Sequence, residues 1–161
     1  MRLFRIATIA SAAVVVAVLL TTGQASAAAC KLTGSVTHSA VLGNNSADGG
    51  HVKAHVLGET PPAGQSQNNR TLFADGSKYA AAWRQYGYYG TVNCGGGHAI
   101  SQTLTLAQLH MTSLDAYSCT AADGAGRCTA KTLYIAQSVT FAFVQAGGHW
   151  ILNTCYPVPL I

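Results

Sequence analysis

The sequence predicts an α+β fold, with N-terminal helices packed on a C-terminal antiparallel β-sheet. Three observations lead there. Tyr79, Ala82, Trp83 and Tyr86 recur at three- and four-residue spacing behind Asp75 and Ser77, either of which can cap a helix. Beyond Gly90 the texture changes to Thr, Val, Leu, Ile and aromatic residues broken by Gly clusters, as in strands and turns. Ala146-Gly147-Gly148 then separates two apolar-rich runs, a hairpin pattern in which glycine supplies the unusual dihedrals. Helices first and strands after is the order of an α+β chain.

Residues 1–27 read as a secretory signal peptide. Arg2 and Arg5 precede an apolar run from Ile6 to Leu20, and Ala25-Ser26-Ala27 forms a small-x-small cleavage site. A lipoprotein anchor at Cys30 is the poorer reading, because Ala27 rather than an aliphatic residue stands three positions before it. Residues 28–161 then make a single secreted domain, large enough for its own core. No second apolar run approaches the length that spans a bilayer.

Along the mature chain, residues 30–47 are small and polar apart from Ala40-Val41-Leu42, and read as an irregular lead-in. Asp48 to about Leu57 is the first predicted helix, with Asp48 favoured at its start by both hydrogen bonding and charge. Gly58 to Asn69 holds Pro61-Pro62, Gly64 and a Gln/Asn/Ser cluster, a loop by composition. Thr71 to Tyr86 is the second helix. Ile100, Gln102, Leu104 and Leu106 alternate with Ser101, Thr103 and Thr105 as a strand does, and His110 falls in a polar-alternating strand. Thr132 to Gln145 is one long strand, and His149 to Tyr156 its hairpin partner. On that last strand a two-residue period puts Trp150, Leu152, Thr154 and Tyr156 on one face. A helix packed on Trp150 and Leu152 would leave Thr154 and Tyr156 at the rim of the contact.

Cysteines and charge bound the chemistry. Cys30, Cys94, Cys119, Cys128 and Cys155 all follow the leader, and an exported chain meets oxidising surroundings. Cys119 and Cys128 flank a turn-rich Ala-Ala-Asp-Gly-Ala-Gly loop and are the first expected disulfide. Cys94 with Cys155 is the second choice, which leaves Cys30 unpaired at the N-terminus unless it displaces either partner. Nine Lys and Arg face five Asp and Glu; Arg2 and Arg5 leave with the signal, so the mature balance is 7 − 5 = +2. That is too weak for a broad nucleic-acid-binding surface, although a compact phosphate site needs few cations.

The residues that carry chemistry centre on Gly49-Gly50-His51-Val52-Lys53-Ala54-His55-Val56. In a helix His51 and His55 would share one face, and imidazole is the side chain that exchanges protons near neutral pH. The bland reading is two exposed histidines on a short surface helix. Their pairing otherwise points to proton transfer or to a metal. A zincin motif needs Glu after the first His, and Val52 stands there. No Cys/His spacing resembles a structural zinc site. His98, His110 and His149 add no recognisable ligand spacing.

Gly49-Gly50-His51, His55-Val56, Phe73-Ala74-Asp75 with Ala80-Ala81-Ala82, and Ile151-Leu152 with Thr154-Cys155-Tyr156-Pro157 follow one another across nearly the whole mature chain. This ordered set resembles the bacterial RNase A-like domain found at the C-termini of CdiA-type contact-dependent inhibition toxins and related secreted toxins. The resemblance implies an RNase A-like α+β fold and RNA cleavage without metal or other cofactor. It implies RNA as substrate, and leaves room for an immunity protein as partner. Carried over by motif, the catalytic residues are His55, Thr154 and Tyr156. The family's arginine would fall at Ser66, and the nearest arginine is Arg70. His51 lies one residue closer to His55 than the family spacing, and Asn153 stands as an insertion before Thr154.

Such chemistry needs a base for the 2′-hydroxyl proton, an acid for the 5′-oxygen and positive charge for the phosphorane-like transition state. His55 suits base or acid, His51 or Tyr156 the complementary role, and Arg70, or failing that Lys53, the charge. The reading from a different class is a non-catalytic secreted binding or inhibitor module, which low charge, Gly-rich loops and disulfides fit equally well.

Overall fold

Asp75 opens the longest helix. Its carboxylate accepts the backbone N–H groups of Ser77 and Lys78, satisfying donors that a first helical turn leaves free. The computed structural model describes residues 28–160; the expected signal peptide lies outside the described residues. The capped helix, α3, is Gly76–Tyr89. It starts later than the periodicity implies, because Thr71–Phe73 is a strand, β1. Leu72 and Phe73 are both fully buried there, as neighbours that point to opposite faces of a strand can be.

The α+β class holds: the described residues form three α-helices and two antiparallel sheets of three strands, where one sheet was expected. The strands that follow α3 are β2 (Ala99–Thr105), β3 (Asp115–Ala122), β4 (Cys128–Ile135), β5 (Ser138–Ala146) and β6 (His149–Val158). They assemble in the orders β1-β3-β4 and β2-β5-β6. The long strand expected over 132–145 is broken at Ala136-Gln137. Ala136 N–H bonds to Leu114 O and Gln137 N–H to Val158 O, so the chain crosses from one sheet to the other at this point. The β5–β6 hairpin forms as expected around Gly147 and Gly148, both at positive φ. His110 is in a turn at φ 51 and not in a strand, because β2 ends at Thr105.

α3 packs its apolar stripe on β5. Tyr86 lies 4.3 Å from Phe141 and 5.6 Å from Phe143, centroid to centroid, and Trp83 stacks on Tyr86. These rings anchor a core completed by Leu104, Val139, Leu152 and Cys155. Among the described residues no helix is long and apolar enough to cross a membrane.

The lead-in expected over 30–47 is helical instead, comprising a 3-10 turn at Cys30–Leu32, then α1 (Gly34–Ser39) and α2 (Leu42–Asn45). Such short helices carry little intrinsic signal and depend on packing. Val36 and Ala40, four apart, are buried. Ser35 Oγ donates to Trp150 O, and Ser39 Oγ accepts Leu152 N–H, which ties α1 to β6.

The disulfide Cys119–Cys128 forms as expected, and the other pair is Cys30–Cys94. The reason is local alignment. Cys30 N–H bonds to Val92 O and Cys94 N–H to Ala28 O, so the N-terminal residues pair antiparallel with 92–94. Cys155 points into the core opposite Phe141 on β5 and stays a buried thiol.

Candidate active site

The helix predicted from Asp48 is a 3-10 turn, Val52–His55. Gly49 stands at φ 93, a left-handed position that interrupts helical propagation. At Gly50 an added Cβ would collide with the Asn45 side chain. Asp48 is no cap; its carboxylate lies 2.7 Å from His38 Nδ1. The buried Asn45 side chain serves the turn instead, accepting Val52 N–H and donating to Ser39 O and Leu152 O. His51 N–H donates to Asn153 O at 2.7 Å. The turn is thereby docked on β6.

β6 carries a bulge at the same place. Phe143 pairs with Leu152, but Ala142 pairs with Thr154, which leaves Asn153 as the extra residue. Residues paired across antiparallel strands share a face, and an extra residue shifts the alternation by one. Leu152 and Cys155 therefore face the core with Phe143 and Phe141, while Thr154 and Tyr156 share the opposite face with Ala142 and Thr140. The common face expected for Trp150, Leu152, Thr154 and Tyr156 does not form. The bulge turns Thr154 and Tyr156 toward the histidine turn.

There the rings meet. His55 stacks on Tyr156 with centroids 5.1 Å apart, and His51 lies 6.3 Å from His55. His55 Nδ1 is 2.8 Å from Thr71 O, and Arg70 Nη1 is 3.1 Å from His55 Nε2. A carbonyl only accepts and a guanidinium only donates, so the imidazole is neutral, with its proton on Nδ1 and the Nε2 lone pair facing Arg70. Burial, aided by the Arg70 and His51 charges, pushes the His55 pKa down to about 4 against the hydrogen bond to Thr71. Burial and Arg70 lower His51 as well, opposed by the Asn153 side chain. Thr154 is 7% exposed and its Oγ1 has no hydrogen-bond partner, a costly state for a buried hydroxyl. Lys53 pairs with Glu59 at 3.2 Å. Arg70 is thus the cation in direct contact with the His55 ring.

Arg70 is held from behind. Its Nη2 donates to Gln65 Oε1 at 2.7 Å, its N–H to Gln67 O, and its carbonyl accepts Cys119 N–H. The fully buried Gln67 side chain donates to the carbonyls of Val56, Lys53 and Glu59 and accepts Cys128 N–H. One amide therefore joins the histidine turn, the arginine loop and the disulfide-clamped hairpin. Sequence reasoning missed Gln65 and Gln67, because nothing distinguishes them from other residues of a polar loop. Asn153 was visible as an insertion, but not its effect on the faces of β6.

His51, Arg70 and Tyr156 are half-buried and His55 nearly buried, so the cluster borders solvent through three of its members. Among the described residues no three His, Cys, Asp or Glu side chains converge as metal ligands would. Comparison with protein families, characterised proteins and solved structures gives no match for this chain.

Proposed function

We propose that the protein is a secreted ribonuclease of RNase A-like fold, a toxin in type, that cleaves RNA by metal-independent acid/base catalysis. The observation that carries this reading is the convergence of His55, Arg70 and Tyr156 around one unprotonated imidazole nitrogen. In the reaction His55 Nε2 removes the 2′-hydroxyl proton as that oxygen attacks phosphorus. The bond from phosphorus to the 5′-oxygen breaks, a proton donor protonates the departing oxygen, and a 2′,3′-cyclic phosphate remains. Tyr156 Oη and His51 are the two groups near enough to His55 to serve as that donor.

Arg70 has two jobs in sequence. In the free protein it donates to the His55 lone pair and holds the ring neutral. An entering phosphate is a stronger acceptor for a guanidinium than a neutral imidazole, so substrate draws Arg70 onto its oxygens and frees Nε2 to act as base. Positive charge then stands where the transition state gains negative charge. Thr154 Oγ1 offers a further hydrogen bond to the substrate. Two disulfides suit an oxidising destination, which supports secretion. An immunity protein covering the cluster would be the natural partner of such a toxin.

Cleavage of a defined RNA with EDTA present tests the reading. Cleavage that persists, with cyclic-phosphate ends, is the expected result. Loss on chelation would indicate a metal hydrolase, and no cleavage in any buffer would favour a binding or inhibitor module.

A further inference from the structure

The β1-β3-β4 sheet ends on an open edge. β4 has β3 on one side and no strand on the other. Hydrogen-bond phase decides which of its backbone groups lie bare. Ala136 N–H bonds to Leu114 O, one step beyond the pair Asp115 and Ile135. The pairs 115/135, 117/133 and 119/131 are therefore the non-hydrogen-bonded ones, and Lys131, Leu133 and Ile135 aim N–H and C=O away from β3. Among the described residues none of these backbone groups has a partner. Ala116 and Tyr134 lie in or against the core, so alternation sends Tyr117, Leu133 and Ile135 to the opposite face. Leu72, Tyr117 and Leu133 form one row across the sheet, passing from buried to half-buried to 57% exposed. An apolar row thus runs off the open edge, with the half-exposed Ile135 beside it.

Edge strands ordinarily guard such groups with proline, a bulge or a projecting charge. Residues 131–135 contain no proline, and the irregular β3–β4 pairing lies outside them, toward the disulfide. Their one charge, Lys131, leans back over the Tyr117 ring, 5.5 Å from its centroid. β2, an outer strand of the other sheet, exposes Ser101, Thr103 and Thr105 instead.

We infer that this edge pairs with the same edge of a second copy, about a two-fold axis at Leu133, into one continuous sheet. Backbone, side chains and charge are all self-complementary in that arrangement. Antiparallel pairing centred on Leu133 sets Lys131 opposite Ile135 of the second copy, and Leu133 opposite its counterpart. Outward groups then meet outward groups, and every bare N–H and C=O of the three residues is satisfied. The apolar row becomes Leu72, Tyr117 and Leu133, followed by the same three in reverse. Lys131 enters the cross-strand row that holds Ile135 and Asp115 of the second copy. Asp115 is exposed and in no ion pair among the described residues. Two strand spacings, about 10 Å, separate it from that lysine, within the joint reach of the two extended side chains. A two-fold contact closes at two copies.

Sedimentation equilibrium of the purified protein over a concentration series tests this, each variant first shown to be folded by circular dichroism. A contact one strand long is small, so a dissociation constant between about 10 μM and about 1 mM is expected. Leu133→Lys sets two ammonium groups on the axis and should weaken dimerisation by roughly tenfold or more. Leu133→Pro removes an outward donor but no bond to β3, and should weaken it as well. Lys131→Glu should weaken it roughly two- to fivefold, and adding Asp115→Lys in the same chain should restore it. Leu32→Lys, at an apolar side chain 74% exposed elsewhere, should leave it unchanged, which separates edge pairing from general stickiness. A dimer indifferent to both Leu133 variants, or a species larger than a dimer, would overturn the inference. A protein still monomeric at about 1 mM would overturn it too, and leave the edge to a protein of another kind.

Discussion

The two sheets share one core but differ in what else holds them. The β2-β5-β6 sheet has no charged residue and lays one face on a cluster of aromatic rings from α3. The β1-β3-β4 sheet carries Asp115 and Lys131, leaves Leu133 and Ile135 half exposed or more on β4, and is clamped by Cys119–Cys128. The candidate site takes Thr154 and Tyr156 from the first, and Arg70 and the Thr71 carbonyl from the segment that leads into the second. Core burial thus holds one half of the site, and a disulfide with buried amide hydrogen bonds holds the half that carries Arg70.

The strongest way to break this comparison is a pair of truncations. Phe141→Ala removes a fully buried ring and should cost about 3–5 kcal/mol, read by urea unfolding. Leu133→Ala, 57% exposed, should stay within about 0.5 kcal/mol. Equal losses would mean that the exposed face of β4 is packed as tightly as the core the two sheets share.

Acid sharpens the comparison next. The folded His55 pKa of about 4 lies below the ordinary imidazole value of about 6.5, so the folded state favours the neutral ring. Its contribution is fully present above pH 6.5 and is lost as pH falls through 4, a change of about 3 kcal/mol. The lowered His51 adds in the same direction. Urea midpoints from pH 7 to 4 should fall, and His55→Gln should flatten that slope. An unchanged slope would show that His55 titrates as an exposed imidazole.

Removing the clamp should cost less stability than Phe141→Ala. Replacing Cys119 and Cys128 with Ser opens a loop of sequence separation 9, worth about 2–3 kcal/mol in chain entropy. Its effect on cleavage should exceed that of Leu133→Ala, because Cys119 N–H and Cys128 N–H bond the Arg70 carbonyl and the Gln67 side chain. Unchanged cleavage by the folded Ser variant would remove the clamp from the account of Arg70.

What the sequence made legible follows the range of the interactions. Asp75, Cys119–Cys128 and the Gly147-Gly148 hairpin are encoded within a few residues, and each forms as read. The Cys30–Cys94 bridge depends on pairing between residues 28–30 and 92–94, which no local pattern announces. The crossing at Ala136 and the strand character of Thr71–Phe73 likewise depend on partners far along the chain. The site was half legible. His51, His55 and Tyr156 meet, yet the helix expected to bring them together is a 3-10 turn, and the strand face expected to receive them is reversed by the Asn153 bulge.

The central claim is that His55 is the proton-accepting residue of an RNA-cleaving site. The direct measurement is kcat/KM for RNA cleavage in EDTA by the wild type and by His55→Ala and His51→Ala, each first shown to be folded by circular dichroism. His55→Ala should fall by roughly two to four orders of magnitude, the usual worth of a general acid or base. An equal fall in His51→Ala would make the histidines the acid/base pair, and a harmless His51→Ala would assign the proton donor to Tyr156. Full activity in folded His55→Ala would contradict the account.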